Sequence, residues 1–186
     1  MPRVTLEFNL PDSSVTEALG HALADSLPRA VPAGAAPAGA APADARGTGA
    51  VLYLQGELGA GKTTCVRSLL RTLGVTGLVR SPTYTLVETY RLATLTCVHV
   101  DLYRLQSLTE VDELGLRDLV GPASLLMVEW PERGGAALPS ADLRVALRYA
   151  GDARLAGVSA ETLLGTEWLE NLGRDNSLRS YVSNLT

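Results

Sequence analysis

The chain has 186 residues, 46% of them hydrophobic and 19% charged, with a formal net charge of −4. That length suits one domain with a substantial core. The mild acidity argues against free-standing binding to nucleic acid or a membrane surface, which takes a basic face. Two cysteines, Cys65 and Cys97, and two histidines stand in no zinc-ligand spacing, so structural thiols in a reduced compartment are expected.

Arg3 to Leu10 alternates and reads as a first strand. It lacks the apolar core of a signal peptide. No later run approaches the ~18 apolar residues of a membrane span, so a cytoplasmic protein is expected. Asp12 or Ser13 is placed to cap a helix reaching about Leu27. Pro28 to Thr48 is low-complexity Ala/Pro/Gly sequence, read as a flexible surface insertion (28–48) whose length adds little loop-closure cost. Ala50 to Leu54 reads as a buried strand, Gly56 to Thr63 as a glycine-rich loop, and Thr64 to Leu73 as a helix. Arg80 to Tyr90 runs from a turn into an alternating strand, and Leu95 to Asp101 is another strand. Leu108 to Leu119 holds one helix or two short ones, interrupted at Gly115. Ser124 to Glu129 is a short apolar strand ending in a carboxylate. Leu143 to Tyr149 alternates and turns at Gly151-Asp152 into a partner strand, Arg154 to Ser159. Thr162 to Leu172 has helical spacing. The sum is α/β, with three layers and a mixed parallel and antiparallel sheet. One domain spans 1–172, and 173–186 is expected to form a loose tail.

Gly56-Glu57-Leu58-Gly59-Ala60-Gly61-Lys62-Thr63 has the P-loop spacing, in the strand–loop–helix context that motif needs. Its glycines let backbone N–H groups, Thr64 included, turn inward as an anion nest. The helix N-terminus adds partial positive charge. Lys62 is expected in a solvated cleft, reaching β- and γ-phosphates, with the Thr63 hydroxyl on Mg²⁺.

Asp101 ends the strand Val98-His99-Val100-Asp101, the arrangement in which an acid holds Mg²⁺ or its waters. Glu129 ends a strand of the same form, and the residues alone do not rank the two. Ser81 and Thr83, one helix after the P-loop, are candidates to sense a γ-phosphate. Trp130 beside Glu129 reads as packing at a strand end, and His99 as a satisfied core residue. Arg80, Arg104 and Arg133 are either phosphate contacts or solvated charges.

Five blocks in order resemble one family: Gly56 to Thr64, Ser81 to Glu88, His99 to Leu105, Glu113 to Asp118 and Val128 to Glu132. The set is similar to the TsaE (YjeE) family, small bacterial ATPases of tRNA threonylcarbamoyladenosine synthesis. The likeness runs from about Leu6 to Leu172, and only the first block is generic. It implies a P-loop NTPase fold and ATP as the nucleotide; no Asn-Lys-x-Asp guanine-reading block occurs. It implies Mg²⁺ held by Thr63 and Glu129, with Asp101 assisting catalysis or the metal's water shell. Trp130 is expected beside the nucleotide, and Asp12 and Ser13 near the adenine. The implied partners are the TsaB and TsaD proteins, with tRNA met only through that complex. Hydrolysis, slow alone and stimulated in the complex, would reset TsaB–TsaD between turnovers without modifying the base. The rival reading is a small-molecule kinase of P-loop fold, but no arginine-rich lid segment follows Glu129.

Overall fold

The computed structural model describes residues 5–28 and 49–185. Apart from Pro28, the expected insertion therefore lies outside the described residues. The strands are β1 (Thr5–Leu10), β2 (Ala50–Gln55), β3 (Val87–Arg91), β4 (Thr96–Asp101), β5 (Ser124–Glu129), β6 (Leu143–Ala150), β7 (Ala153–Ala160) and β8 (Val182–Leu185). The helices are α1 (Ser13–Asp25), α2 (Lys62–Thr72), α3 (Leu108–Glu113) and α4 (Leu163–Gly173).

Burial explains the middle of the sheet. β5 (SLLMVE) is buried at every position, and β2 (AVLYLQ) at all but its last. Strands apolar on both faces belong at the centre of a covered, parallel sheet. The order is β3-β4-β5-β2-β6-β7-β1-β8. β4, β5, β2 and β6 run parallel, while β3, β7, β1 and β8 are antiparallel to their neighbours. Alternation sends Leu52, Leu54, Leu125 and Met127 to one face, where they meet Val15 and Leu19 of α1, Leu69 of α2 and Trp168 of α4. Val51, Tyr53, Val98, Val100, Leu126 and Val128 face the other side, with Val111 of α3, Leu116 and Leu138. These are the three layers.

α3 ends at Glu113 and the chain turns through Gly115 at φ 59°, the interruption expected at that glycine, with one short helix before it. One element departs from the sequence expectation. The segment after 172 is not loose throughout. Leu178 is 1% exposed in the main core, and β8 pairs antiparallel with β1. A four-residue strand shows too little alternation to be seen in sequence.

Candidate functional site

The site lies where α2 opens at the C-terminal ends of the parallel strands β2, β4 and β5, the usual place for a ligand in such a sheet. Gly56, Gly59 and Gly61 have φ of 138°, 79° and 108°. Gly56 is also pressed against the next strand. A Cβ there would sit 2.2 Å from the Leu147 carbonyl oxygen, so no other residue fits between β2 and the loop. The outer side of the loop is held by β6 and β7. The Tyr149 hydroxyl donates to the Leu58 carbonyl at 3.0 Å, and Arg154 Nη2 donates to the Gly59 carbonyl at 3.5 Å.

Lys62 lines the cleft but is not solvated there, contrary to the expectation from its position in the motif. It is 4% exposed. Its Nζ donates to the carbonyls of Gly56 at 2.6 Å and Glu57 at 2.9 Å, and stands 3.9 Å from the centre of the Trp130 ring. Burial pulls its pKa below the ordinary lysine value, against the opposing pull of Glu129, Asp101 and Glu132. Trp130 reaches this position from a left-handed backbone, φ 59°, between Glu129 and Pro131. A bulky residue with φ > 0 is a strained arrangement of the kind found at functional sites. Tyr103 packs on the same ring, centroids 5.0 Å apart.

The two strand-end acids have different partners. Asp101 and Glu129 are opposite each other in the β4–β5 register. Glu129 accepts from the Thr63 hydroxyl at 2.9 and 3.0 Å and contacts His99 Nε2 at 2.9 Å. Asp101 accepts from the Tyr103 N–H at 2.9 Å, from the Thr83 hydroxyl at 3.0 Å and from the Ser81 hydroxyl. The cleft is lined by Lys62, Thr63, Thr64, Ser81, Thr83, Asp101, Tyr103, Glu129 and Trp130, with Leu58, Gly59 and Gly61 at its edge.

Glu57 contributes its carbonyl to Lys62, and Ala60 is fully buried behind the loop. Asp12 and Ser13 are not among the cleft-lining residues. Asp12 caps α1, accepting from the N–H groups of Ser14 at 2.8 Å and Val15 at 3.1 Å. These hydrogen bonds, the Ser14 hydroxyl first, hold its pKa below the carboxylate range. Of the three arginines, Arg104 lies over the Tyr84 ring at 4.0 Å and Arg133 donates to the Leu105 carbonyl at 3.0 Å. None of the three lines the cleft.

Sequence reasoning did not place Tyr103, Tyr149 or Arg154 here, and it read His99 as mere core. Tyr103 comes from the turn just after β4, and Tyr149 and Arg154 from the β6–β7 pair beside the loop. Asp101 and His99 share a strand face by alternation, a signal the spacing does contain. Thr63, Glu129 and Asp101 are hard oxygen donors that fit Mg²⁺. Among the described residues no group of three or more His, Cys, Asp or Glu side chains could hold a metal alone. An ion shared with phosphate oxygens does not need one.

The family model described as threonylcarbamoyl adenosine biosynthesis protein TsaE matches residues 10–156. A tRNA threonylcarbamoyladenosine biosynthesis protein TsaE from Haemophilus influenzae is 46% identical over 115 residues, 62% of this chain and 73% of that protein. A second TsaE, from Synechocystis, is 38% identical over 73 residues, 39% of this chain and 34% of that protein. The crystal structure of YdiB from Bacillus subtilis superposes with a TM-score of 0.68 at 25% identity, over 94% of this chain and 97% of its own.

Proposed function

The chain belongs to the TsaE family of threonylcarbamoyladenosine biosynthesis proteins, and from that premise we propose that it is a Mg²⁺-dependent ATPase serving the TsaB–TsaD complex. The observation that carries this is the contact of the Thr63 hydroxyl with both oxygens of Glu129 at 2.9 and 3.0 Å. It joins the last residue of the phosphate-binding motif to the acid at the end of the neighbouring strand.

Thr63 and Glu129 would hold the metal, with Asp101 at its water shell; the ion would neutralise charge developing on the phosphates. Lys62 supplies the mobile cation. Its two carbonyl acceptors are neutral dipoles, whereas a phosphate oxygen carries full negative charge and adds ion-pair attraction to the hydrogen bond. A triphosphate in the loop therefore draws the ammonium away from Gly56 and Glu57. Trp130 keeps that ammonium in a dry, attractive setting meanwhile. Asp101 holds Ser81 and Thr83, so the segment after α2 is tied to the same strand ends.

In this reading hydrolysis to ADP and phosphate resets TsaB–TsaD between turnovers, and tRNA is met only through that complex. Phosphate release from ATP, measured alone and with the TsaB and TsaD proteins, tests it. We expect slow release alone and faster release with the partners. Lys62→Ala should show none and bind ATP about 10–100-fold more weakly, the value of bonds to a charged group. Near-parental hydrolysis in that variant would sink the reading. A phosphorylated third product would favour a kinase.

A further inference from the structure

His99 is the one imidazole inside the molecule, and it sits where an apolar residue would fill the space. It is fully buried on β4. Its strand face carries Cys97 one rung deeper, in the core with Leu125 and Met127. Its Nε2 lies 2.9 Å from Glu129 Oε1. Its Nδ1 has no hydrogen-bond partner among the described residues. A buried polar atom left without a partner costs free energy. This histidine leaves a polar atom stranded to keep a single bond, and that bond goes to the acid beside the P-loop.

Glu129 is itself 2% exposed, and its charge reaches into the core beneath it. The Cys65 thiol is pushed up to about 12, by burial first and by Glu129 second. A carboxylate in such surroundings needs donors to hold both its charge and its orientation. Thr63 is one donor, reaching both oxygens. Its hydroxyl is also the group expected on the metal. His99 is the donor that has no other duty.

We propose that His99 is a positioning residue: its Nε2–H holds Glu129 Oε1, so the carboxylate keeps one orientation toward Thr63 and the metal. An ionised carboxylate only accepts, so this role requires the ring proton on Nε2. Partners of this kind around ligating groups govern metal affinity without touching the metal. The inference rests on the Mg²⁺-dependent reading above, and it concerns binding as well as turnover.

The test compares His99→Leu, which keeps bulk without a donor, with His99→Gln, whose amide nitrogen reaches about as far as Nε2. The readout is equilibrium binding of a fluorescent ADP analogue across a Mg²⁺ series, which needs no turnover. His99→Leu should need about 10-fold more Mg²⁺, or beyond, for half-maximal tightening. Its affinity without Mg²⁺ should stay near the parent's. His99→Gln should recover most of the loss. Parental Mg²⁺ dependence in His99→Leu, or equal loss in both variants, overturns the proposal. If His99→Leu does not fold, His99→Asn replaces it, since that shorter amide cannot reach Glu129. A parent that itself shows no Mg²⁺-dependent tightening removes the functional reading and this inference together. A parent that does, with unaffected His99 variants, removes this inference alone.

Discussion

The Thr83 hydroxyl has one proton to give, and it lies between Asp101 at 3.0 Å and the Ser81 hydroxyl oxygen at 2.6 Å. Ser81 gives its own to the same carboxylate oxygen. Neither hydroxyl can donate to a phosphate without giving up a bond within this Ser81–Thr83–Asp101 group, so the group and a γ-phosphate would compete for them. That competition would give the segment two arrangements, and a nucleotide shifts such a balance only through contacts that differ between them. Thr83→Ala should retain ADP binding and hydrolyse ATP roughly 10- to 100-fold more slowly, the worth of one bond to a charged group. It should also lose the difference between ATP and ADP in affinity for the TsaB and TsaD proteins. Ser81 is the next candidate. Thr85, the other hydroxyl of this segment, ranks behind both because it is not among the residues lining the cleft; it donates to Glu88 at 3.2 Å. Partner binding measured with each nucleotide decides: a variant that discriminates as the parent does relieves Thr83 of the sensor role.

Among the elements, α4 is seated by an unusually close approach. A Cβ on Gly165 would lie 1.8 Å from the Asp142 carbonyl oxygen. Asp142 is buried there as a junction. Its carboxylate accepts from the Val51 N–H at 2.9 Å and from the Thr162 hydroxyl at 2.6 Å, and Thr162 caps α4 through the Gly165 N–H at 3.1 Å. Nothing in this contact can yield, since both sides are backbone or bound side chain. Gly165→Ala should therefore cost about 2–3 kcal/mol and lower the melting temperature by about 5–10 °C. Gly157→Ala, with nothing near its Cβ, is the control and should change little. Equal melting curves for the two variants would refute the close-contact account. The sequence shows Gly165 only as a glycine inside a helix. It shows the P-loop, the strand ends and the α1 cap plainly, because those depend on neighbours in the chain. The bonds of Glu129 to Thr63 and His99, the left-handed Trp130 and the Asp142 junction were not legible. Each depends on which residues the sheet register and the helix packing set face to face, and composition and spacing carry no record of that.

At the scale of the whole molecule, two segments look dispensable by composition, and the structure shows that the C-terminal one is packed. Residues 29–48 have no apolar periodicity, so they can contribute little to a core. Pro28 itself is buried, so a clean excision begins after it. Replacing 29–48 with a short Gly/Ser link should leave hydrolysis and the melting temperature nearly unchanged. The chain's last part has equally little pattern, yet it carries Leu178 into the core beside α4 and β1 and adds β8 along the free edge of β1. Burying one leucine is worth about 1.5–3 kcal/mol, and an uncovered edge strand invites association. Ending the chain after Gly173 should thus lower stability by about 2–4 kcal/mol, with a greater tendency to aggregate. The nucleotide site lies at the strand ends of β2, β4 and β5, with β6, β7 and β1 standing between β2 and β8, so ADP affinity in the folded fraction should hold. Denaturant melts of both shortened chains, with ADP binding alongside, weigh the segments against each other. A truncated chain as stable as the parent would show that Leu178 and β8 add nothing to the core. A large loss from excising 29–48 would show that composition misjudged that segment.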